Sequence, residues 1–224
     1  MKIYFESKRP EFYVGENKIF NFFNLHNVWW INNDDNYQKI VSNENNVSFP
    51  DGKNIARYLN IRQQRGPSFT KRFLISKEAK FKKHFFIGDI SVNNLSEKTG
   101  ISRKNIVSYN PPYIKNLRFP KKEIKIIINR LEQDKFDFVW ICVGSPKQEF
   151  LANELFKGYK TDYFNIGAAL DFLIGKKKEA PAFVRAIGIE WLYRLVTDFK
   201  YTRKKVMRSF IALFYLRESV ELVR

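Results

Sequence analysis

The chain has 224 residues, 44% of them hydrophobic, with 22 Phe and 11 Tyr, enough to bury the core of one large domain and to exclude disorder for the bulk of it. Lys and Arg number 40 against 23 Asp and Glu, a formal net charge of +17. Such an excess implies a polyanionic partner, whether nucleic acid, anionic lipid or a phosphorylated substrate, and composition does not choose among the three.

Residues 1–27 mix aromatic and charged side chains without a clear period and predict short strands and loops; the opening MKIYFESKRPEF has no apolar secretory segment. Val28-Trp29-Trp30-Ile31 reads as a strand, ended by the turn-forming run Asn32-Asn33-Asp34-Asp35-Asn36, with a short helix over 37–42 after it. A brief strand over 47–49 leads into the turn Pro50-Asp51-Gly52. Ile55, Tyr58, Leu59 and Ile61 then suggest a helix, broken before Gly66-Pro67, and one lysine-rich helix is expected over 68–83. His84–Ile87 predicts a strand ending in Gly88-Asp89, residues 93–99 a short helix, and Ile106–Tyr109 another strand. Residues 120–134 predict an amphipathic helix with Ile124, Ile127, Ile128 and Leu131 on one face.

The run 138–143 is apolar and bounded by Asp137 and Gly144, the pattern of a buried parallel strand. Ser145, Pro146 and Gln148 fit the N-cap, N1 and N3 positions of a capping box, and Phe150, Leu151, Glu154 and Leu155 follow at helical spacing. A second strand, 162–166, ends in Gly167 and a second helix begins. A basic loop, Lys176-Lys177-Lys178, precedes a helix from Pro181 to about Leu195, and the tail 197–224 is helical and basic. Strands alternating with helices argue for a mainly parallel sheet covered on both faces, and no run of about 18 apolar residues would span a bilayer. In such a sheet ligands bind at the carboxyl ends of the strands, where helix N-termini offer N–H groups to anions.

Candidate chemistry follows from these positions. Asp51, at the carboxyl end of a strand, could serve as a general base, or could simply cap the next helix. Gln148 could reach a ligand or serve the capping box, and Lys147 could meet a phosphate or stay solvated. Asp171, one turn into the second helix, could hold a ligand hydroxyl or complement the helix dipole. Asp34-Asp35 resemble the paired acids that hold a metal, but they sit in a turn where Asp is expected anyway. His26 and His84 lack metal-ligand spacing, and the lone Cys142 reads as a packed thiol. In the tail, Arg194, Arg203, Arg208 and Arg217 alternate with Val206, Phe210, Leu213 and Phe214. A basic amphipathic helix of that kind suits an anionic membrane surface, or a terminal helix packed on the domain.

Several segments together carry a family resemblance. Gly144-Ser145-Pro146-Lys147-Gln148-Glu149 resembles the G-x-P-x-Q-E signature of the WecG/TagA/CpsF glycosyltransferases. Gly167 to Gly175, Ala180-Pro181 and Gly188-Ile189-Glu190-Trp191-Leu192-Tyr193-Arg194-Leu195 resemble that family's later segments in the right order. The resemblance implies a Rossmann-like domain over residues 1–195 and a basic helical membrane-association appendage over 196–224. It implies an inverting transfer of a hexose or N-acetylhexosamine from a UDP-sugar to a polyprenyl-diphosphate-linked acceptor, without metal or other cofactor, on the inner face of a bacterial plasma membrane. Asp51 and Gln148 would be catalytic. Asn32, Gly144, Pro146, Lys147, Glu149, Asp171, Arg194 and Arg203 would bind substrate, arginine being suited to a diphosphate. Trp30, Ser68 and Glu179 depart from the family's pattern and point to a divergent donor or acceptor, or to an inactive member. The rival reading, a basic nucleic-acid-binding protein, finds no known motif. An exposed aromatic surface would serve a homo-oligomer as well as a membrane.

Overall fold

The computed structural model describes residues 2–178, 180–181, 183–184, 190–197 and 199–223, with the main chain alone at Glu190, Trp191, Arg194, Lys200 and Tyr201. Eight strands form one sheet: β1 (Ile3–Phe5), β2 (Ile19–Phe23), β3 (Asn46–Pro50), β4 (His84–Ile87), β5 (Ile106–Tyr109), β6 (Phe138–Ile141), β7 (Asp162–Asn165) and β8 (Val220–Leu222). Their order is β5-β4-β6-β7-β2-β3-β1-β8 and every pairing is parallel. This is the α/β, Rossmann-like architecture expected from the alternating pattern. Because all strands run the same way, the loops after β2, β3, β4, β6 and β7 share one edge of the sheet.

The strands are buried on both faces, which explains their unbroken apolar runs. One face is largely aromatic. Phe20, Phe22 and Phe49 meet Phe86, Phe138, Trp140 and Phe164, with the Trp140 and Phe164 rings stacked 4.3 Å apart. Against them lie α4 (Gly66–Leu74), α5 (Lys77–Lys80), α6 (Val92–Thr99) and α9 (Ala169–Leu173), with Phe69 and Phe73 of α4 reaching into the aromatic layer. On the opposite face, α7 (Lys121–Asp134) and α8 (Lys147–Gly158) pack Ile127, Leu131, Leu151 and Leu155 onto Phe85, Val139, Ile141 and Tyr163. Beyond them, α1 (Leu25–Asn33), α2 (Asp35–Val41) and the tail cover Ile3, Phe5 and Phe23. A short helix, α3 (Lys53–Tyr58), follows β3.

Three local expectations are corrected. Residues 28–31 are not a strand but the middle of α1. Asn24 caps it, accepting the His26 N–H at 3.0 Å, while Asn27 Oδ1 takes the Asn24 N–H at 3.1 Å. With those end groups satisfied, Leu25, Val28 and Ile31 form one buried stripe at helical spacing. The single helix expected over 68–83 is two, broken at Ile75-Ser76, where the Ser76 hydroxyl accepts the Ala79 N–H and starts α5. The capping box at 145–148 does not form: α8 begins at Lys147 without a side-chain cap, and Gln148 turns to its neighbour Glu149.

The tail continues as α10 (Glu190–Thr197), α11 (Phe199–Ala212) and α12 (Leu216–Ser219), and then enters the sheet as β8, pairing with β1 from Ile3↔Val220 to Phe5↔Leu222. The helix expected from Pro181 to Leu195 lies partly outside the described residues, as does Glu179.

A line of asparagine amides crosses the sheet. Asn165 donates to Asn21 (2.7 Å), Asn21 to Asn46 (2.9 Å), and Asn46 to Asn153 (3.1 Å), which donates to the Glu149 carbonyl (2.9 Å). Asn21 and Asn165 are at most 1% exposed. A one-residue slip of β2 would turn Asn21 to the other face and break the line, so these amides help fix register.

Candidate functional site

The four adjacent strands β6, β7, β2 and β3 end side by side on the carboxyl edge of the sheet, three strand spacings or roughly 14 Å across, the edge along which an open parallel sheet forms its ligand crevice. At the β3 side stands Asp51. Its N–H donates to the Phe23 carbonyl at 2.9 Å, and its carboxylate Oδ1 accepts the Gly66 N–H at 2.8 Å. The Gln63 side chain donates to the Asp51 carbonyl at 2.5 Å, so the loop before α4 is bound to the rim. Beside it is an open hollow of about 400 Å³ whose lining includes Lys53, Arg57, Arg62 and Gln63. Cations there would raise the local concentration of an anionic ligand.

At the β6 side, Gly144 is exposed, and a Cβ on it would meet nothing within 4 Å. Open backbone at a strand end is the kind of surface a ligand can approach closely. Pro146 is buried behind it, after a cis Ser145–Pro146 bond. The Lys147 ammonium donates to the Ile114 carbonyl and lies 5.3 Å from the Tyr113 ring centroid. It is therefore tied to the 110–120 loop rather than free at the helix N-terminus.

Glu149, one residue past Gln148, is 0% exposed. Its Oε1 accepts from Gln148 Nε2 (2.8 Å) and Asn27 Nδ2 (3.3 Å). Asn27 also donates to Ser145 Oγ (2.8 Å) and Tyr37 OH (3.0 Å). Burial raises the Glu149 carboxyl to about 7, against the lowering effects of its hydrogen bonds and of the Lys205 charge. Burial, more than any neighbour, also raises the Tyr37 hydroxyl. His26, nearby on α1, is held neutral: burial first, then the charges of Lys205 and Arg208, lower it to about 3. Its Nε2 accepts from Trp30 Nε1 at 3.2 Å, and Arg208 of α11 lies 4.1 Å from the Trp29 ring centroid and 5.0 Å from that of Trp30. The tail thus reaches α1 through cation–π contacts, and His26 and Glu149 through longer-range charge.

At the β7 side, Gly167 has φ +52, a left-handed conformation natural to glycine. Asp171 in α9 is paired with Lys177 at 3.1 Å.

The two residues predicted to be catalytic therefore share the carboxyl edge of the sheet, Asp51 in the turn after β3 with Gly144 and Pro146 in the turn after β6, and Gln148 with Lys147 and Asp171 in the first turns of α8 and α9. Asn32 is placed elsewhere, two turns along α1, where it donates to Ser219 Oγ at 2.5 Å and to the Val28 carbonyl at 2.8 Å. Arg203 is exposed on α11, and the side chain of Arg194 lies outside the described residues. Asp34 caps α2, accepting the Tyr37 N–H at 2.9 Å, and no cluster of potential metal ligands occurs among the described residues. Two residues that shape the site carried no signal of their own in the sequence. Asn27 and Tyr37 are an ordinary Asn and Tyr until the fold sets them against residues more than a hundred positions away.

A family model for the WecG/TagA/CpsF glycosyl transferases matches residues 11–222. Two curated proteins of Staphylococcus aureus, from strains NCTC 8325 / PS 47 and COL, are each 32% identical over 79 residues. Each is named N-acetylglucosaminyldiphosphoundecaprenol N-acetyl-beta-D-mannosaminyltransferase. The matched stretch is 35% of this chain and 31% of the relative's length.

Proposed function

The chain belongs to the WecG/TagA/CpsF glycosyl transferase family, and from that premise we propose that it moves an N-acetylhexosamine or hexose from a UDP-sugar to a polyprenyl-diphosphate-linked sugar during synthesis of a bacterial surface polymer. The observation that carries the reading is the placement, along one edge of the sheet, of a carboxylate after β3 and of the Gly144 and Gly167 turns after β6 and β7. Asp51 takes the proton of the acceptor hydroxyl. The hydroxyl oxygen attacks the anomeric carbon as the bond to the UDP oxygen breaks, so the configuration inverts. The leaving diphosphate keeps the electron pair, and cations near the crevice stabilise its growing charge. Gly144 and Asp171 border the nucleotide, and Gln148 contacts the reacting sugars.

The tail supports a membrane-bound acceptor. Val196, Phe199, Met207, Phe210 and Phe214 are exposed, Phe214 by 86%, and exposed Arg203, Lys204 and Arg217 lie among them. No helix among the described residues is long and apolar enough to cross a membrane. Contact with anionic headgroups from one side, by the apolar and basic side chains together, fits that surface.

The experiment is a transfer assay with a short-chain N-acetylglucosaminyl-diphospholipid and a panel of UDP-sugars that includes UDP-N-acetylmannosamine, run beside calorimetric titration with UDP and with single-stranded DNA. UDP binding with transfer of one sugar supports the reading. Salt-sensitive DNA binding without heat from UDP would replace it with a nucleic-acid function.

A further inference from the structure

Glu149 carries the motif's carboxylate, and it is 0% exposed. What it touches is Gln148, whose Nε2 donates to it at 2.8 Å. The other end of that amide, Oε1, is buried without a hydrogen-bond partner, in a residue only 6% exposed. A Cβ on Gly167 would lie 3.5 Å from that oxygen and 3.9 Å from the Val143 carbonyl oxygen. Two acceptors therefore face the one glycine in the turn after β7, and the amide has a donor end turned inward and an acceptor end turned toward that turn.

A carboxylate accepts hydrogen bonds and donates none, so it holds only the nitrogen end of an amide. We propose that Glu149 is a positioning residue: its carboxylate fixes the Gln148 amide with the carbonyl toward Gly167, so that the crevice selects a substrate group that donates a hydrogen bond there, a sugar hydroxyl or an acylamino N–H. The proposal rests on reading the crevice as a transferase site and names what that site selects for. A buried acceptor left unpaired is costly, and a substrate donor removes the cost.

The same geometry makes the selection depend on protonation. A protonated Glu149 becomes a donor and can hold the carbonyl end instead, which turns the amide and presents N–H groups toward Gly167. Its carboxyl titrates at about 7, burial being the main cause. The groups that face it are Tyr37 of α2, Asn27 of α1, Ser145 of the preceding loop and the Lys205 charge of α11, with His26 of α1 neutral behind them. Lys205 favours the ionised form, so the tail and the amide orientation are linked through charge.

The test uses the full chain. The proton–nitrogen signals of the Gln148 side-chain amide are followed across neutral pH in the wild type and in E149Q, and kcat/KM for transfer is measured over the same range. The expected result is a Gln148 signal that titrates with a midpoint near neutrality in the wild type and is flat in E149Q, with an acid-side fall in kcat/KM that E149Q loses. E149L, which offers no acceptor, should lower kcat/KM by roughly tenfold or more while UDP affinity stays within about twofold, and E149Q should recover part of that loss. A Gln148 signal that ignores pH, an E149Q profile like the wild type's, or full activity in E149L would each overturn the proposal. If E149L does not fold, the E149Q comparison decides alone. If the wild type transfers no sugar at all, the proposed function fails, and the amide titration still decides whether Glu149 orients Gln148.

Discussion

The Gly66 N–H donates to Asp51 Oδ1 at 2.8 Å, and the loop between them is drawn in by Gln63. A base held in this way needs little reorganisation when a hydroxyl arrives. Asp51→Asn keeps the shape and the acceptor for Gly66 but removes the basic oxygen. It should lower kcat by roughly 10²–10⁴-fold with UDP affinity unchanged, as measured by transfer assay and calorimetry; an active Asn variant would remove Asp51 as base. Glu149 and His26 give opposite signatures in stability. The folded Glu149 keeps its proton to about pH 7, whereas the unfolded side chain gives it up near its ordinary 4.5. Its contribution is thus most favourable below the unfolded value and is lost as pH rises through the folded one. E149Q should therefore gain stability over the wild type as pH rises from 5 to 8, by on the order of 2 kcal/mol, read from denaturant unfolding. His26, lowered from 6.5 to about 3, works the other way, and its contribution is lost as pH falls below 6.5. Asp51 and Gln148 were legible in the sequence because a turn signal and a motif mark them. The inward role of Glu149 was not. Helix spacing assigned Gln148 to a local cap, but the partner that holds this network, Asn27, lies 122 positions from Glu149.

At the level of elements, β3 to β7 were legible because each is a short, largely apolar run closed within a few residues by Gly, Pro or Asp, whereas β1, β2 and β8 were not placed individually. The aromatic run Val28–Ile31 is the instructive failure. Val-Trp-Trp-Ile has high strand propensity, and four residues cannot distinguish a period of two from one of 3.6. The Asn24 and Asn27 side chains, which satisfy the first turn, decide for a helix. Asparagine serves differently inside the sheet, where Asn21 joins β7 to β3. Asn21→Leu would leave the buried Asn165 amide without its acceptor and take one donor from the half-buried Asn46 carbonyl, which keeps Asn153 at 3.4 Å. The expected loss is about 2 kcal/mol, checked by urea unfolding. A milder effect would mean that other groups re-pair the two ends. Nothing in the sequence marks this line, since Asn in a predicted strand usually signals a turn.

Across the whole molecule, basic and apolar side chains come together on α11 and the turn that follows it, where Phe199, Arg203, Lys204, Phe210 and Phe214 are all exposed. Phe210→Ser with Phe214→Ser should weaken binding to vesicles of anionic lipid by roughly tenfold or more, and Arg203→Glu with Lys204→Glu by a similar factor that shrinks at high salt. Co-sedimentation measures both, and binding unchanged in both pairs would sink the membrane reading. All four side chains are exposed, so the fold should survive. A basic tail was plain from the sequence. Its return to the sheet as β8 was not, because Val220-Glu221-Leu222 is too short a run to announce a strand.

That return has a practical consequence. The tail helices are anchored at their far end by β8 against β1 and by the Asn32–Ser219 bond, and α11 lies across Trp29 and Trp30. A chain cut after Leu195 would lose more than a membrane contact. It would bare the backbone of β1 as a template for a neighbouring molecule's strand and uncover the indole rings beside it. Such a chain would pellet in a centrifuge with vesicles or without them, and self-association would pass for lipid binding. Surface substitutions on the intact chain keep the two phenomena apart.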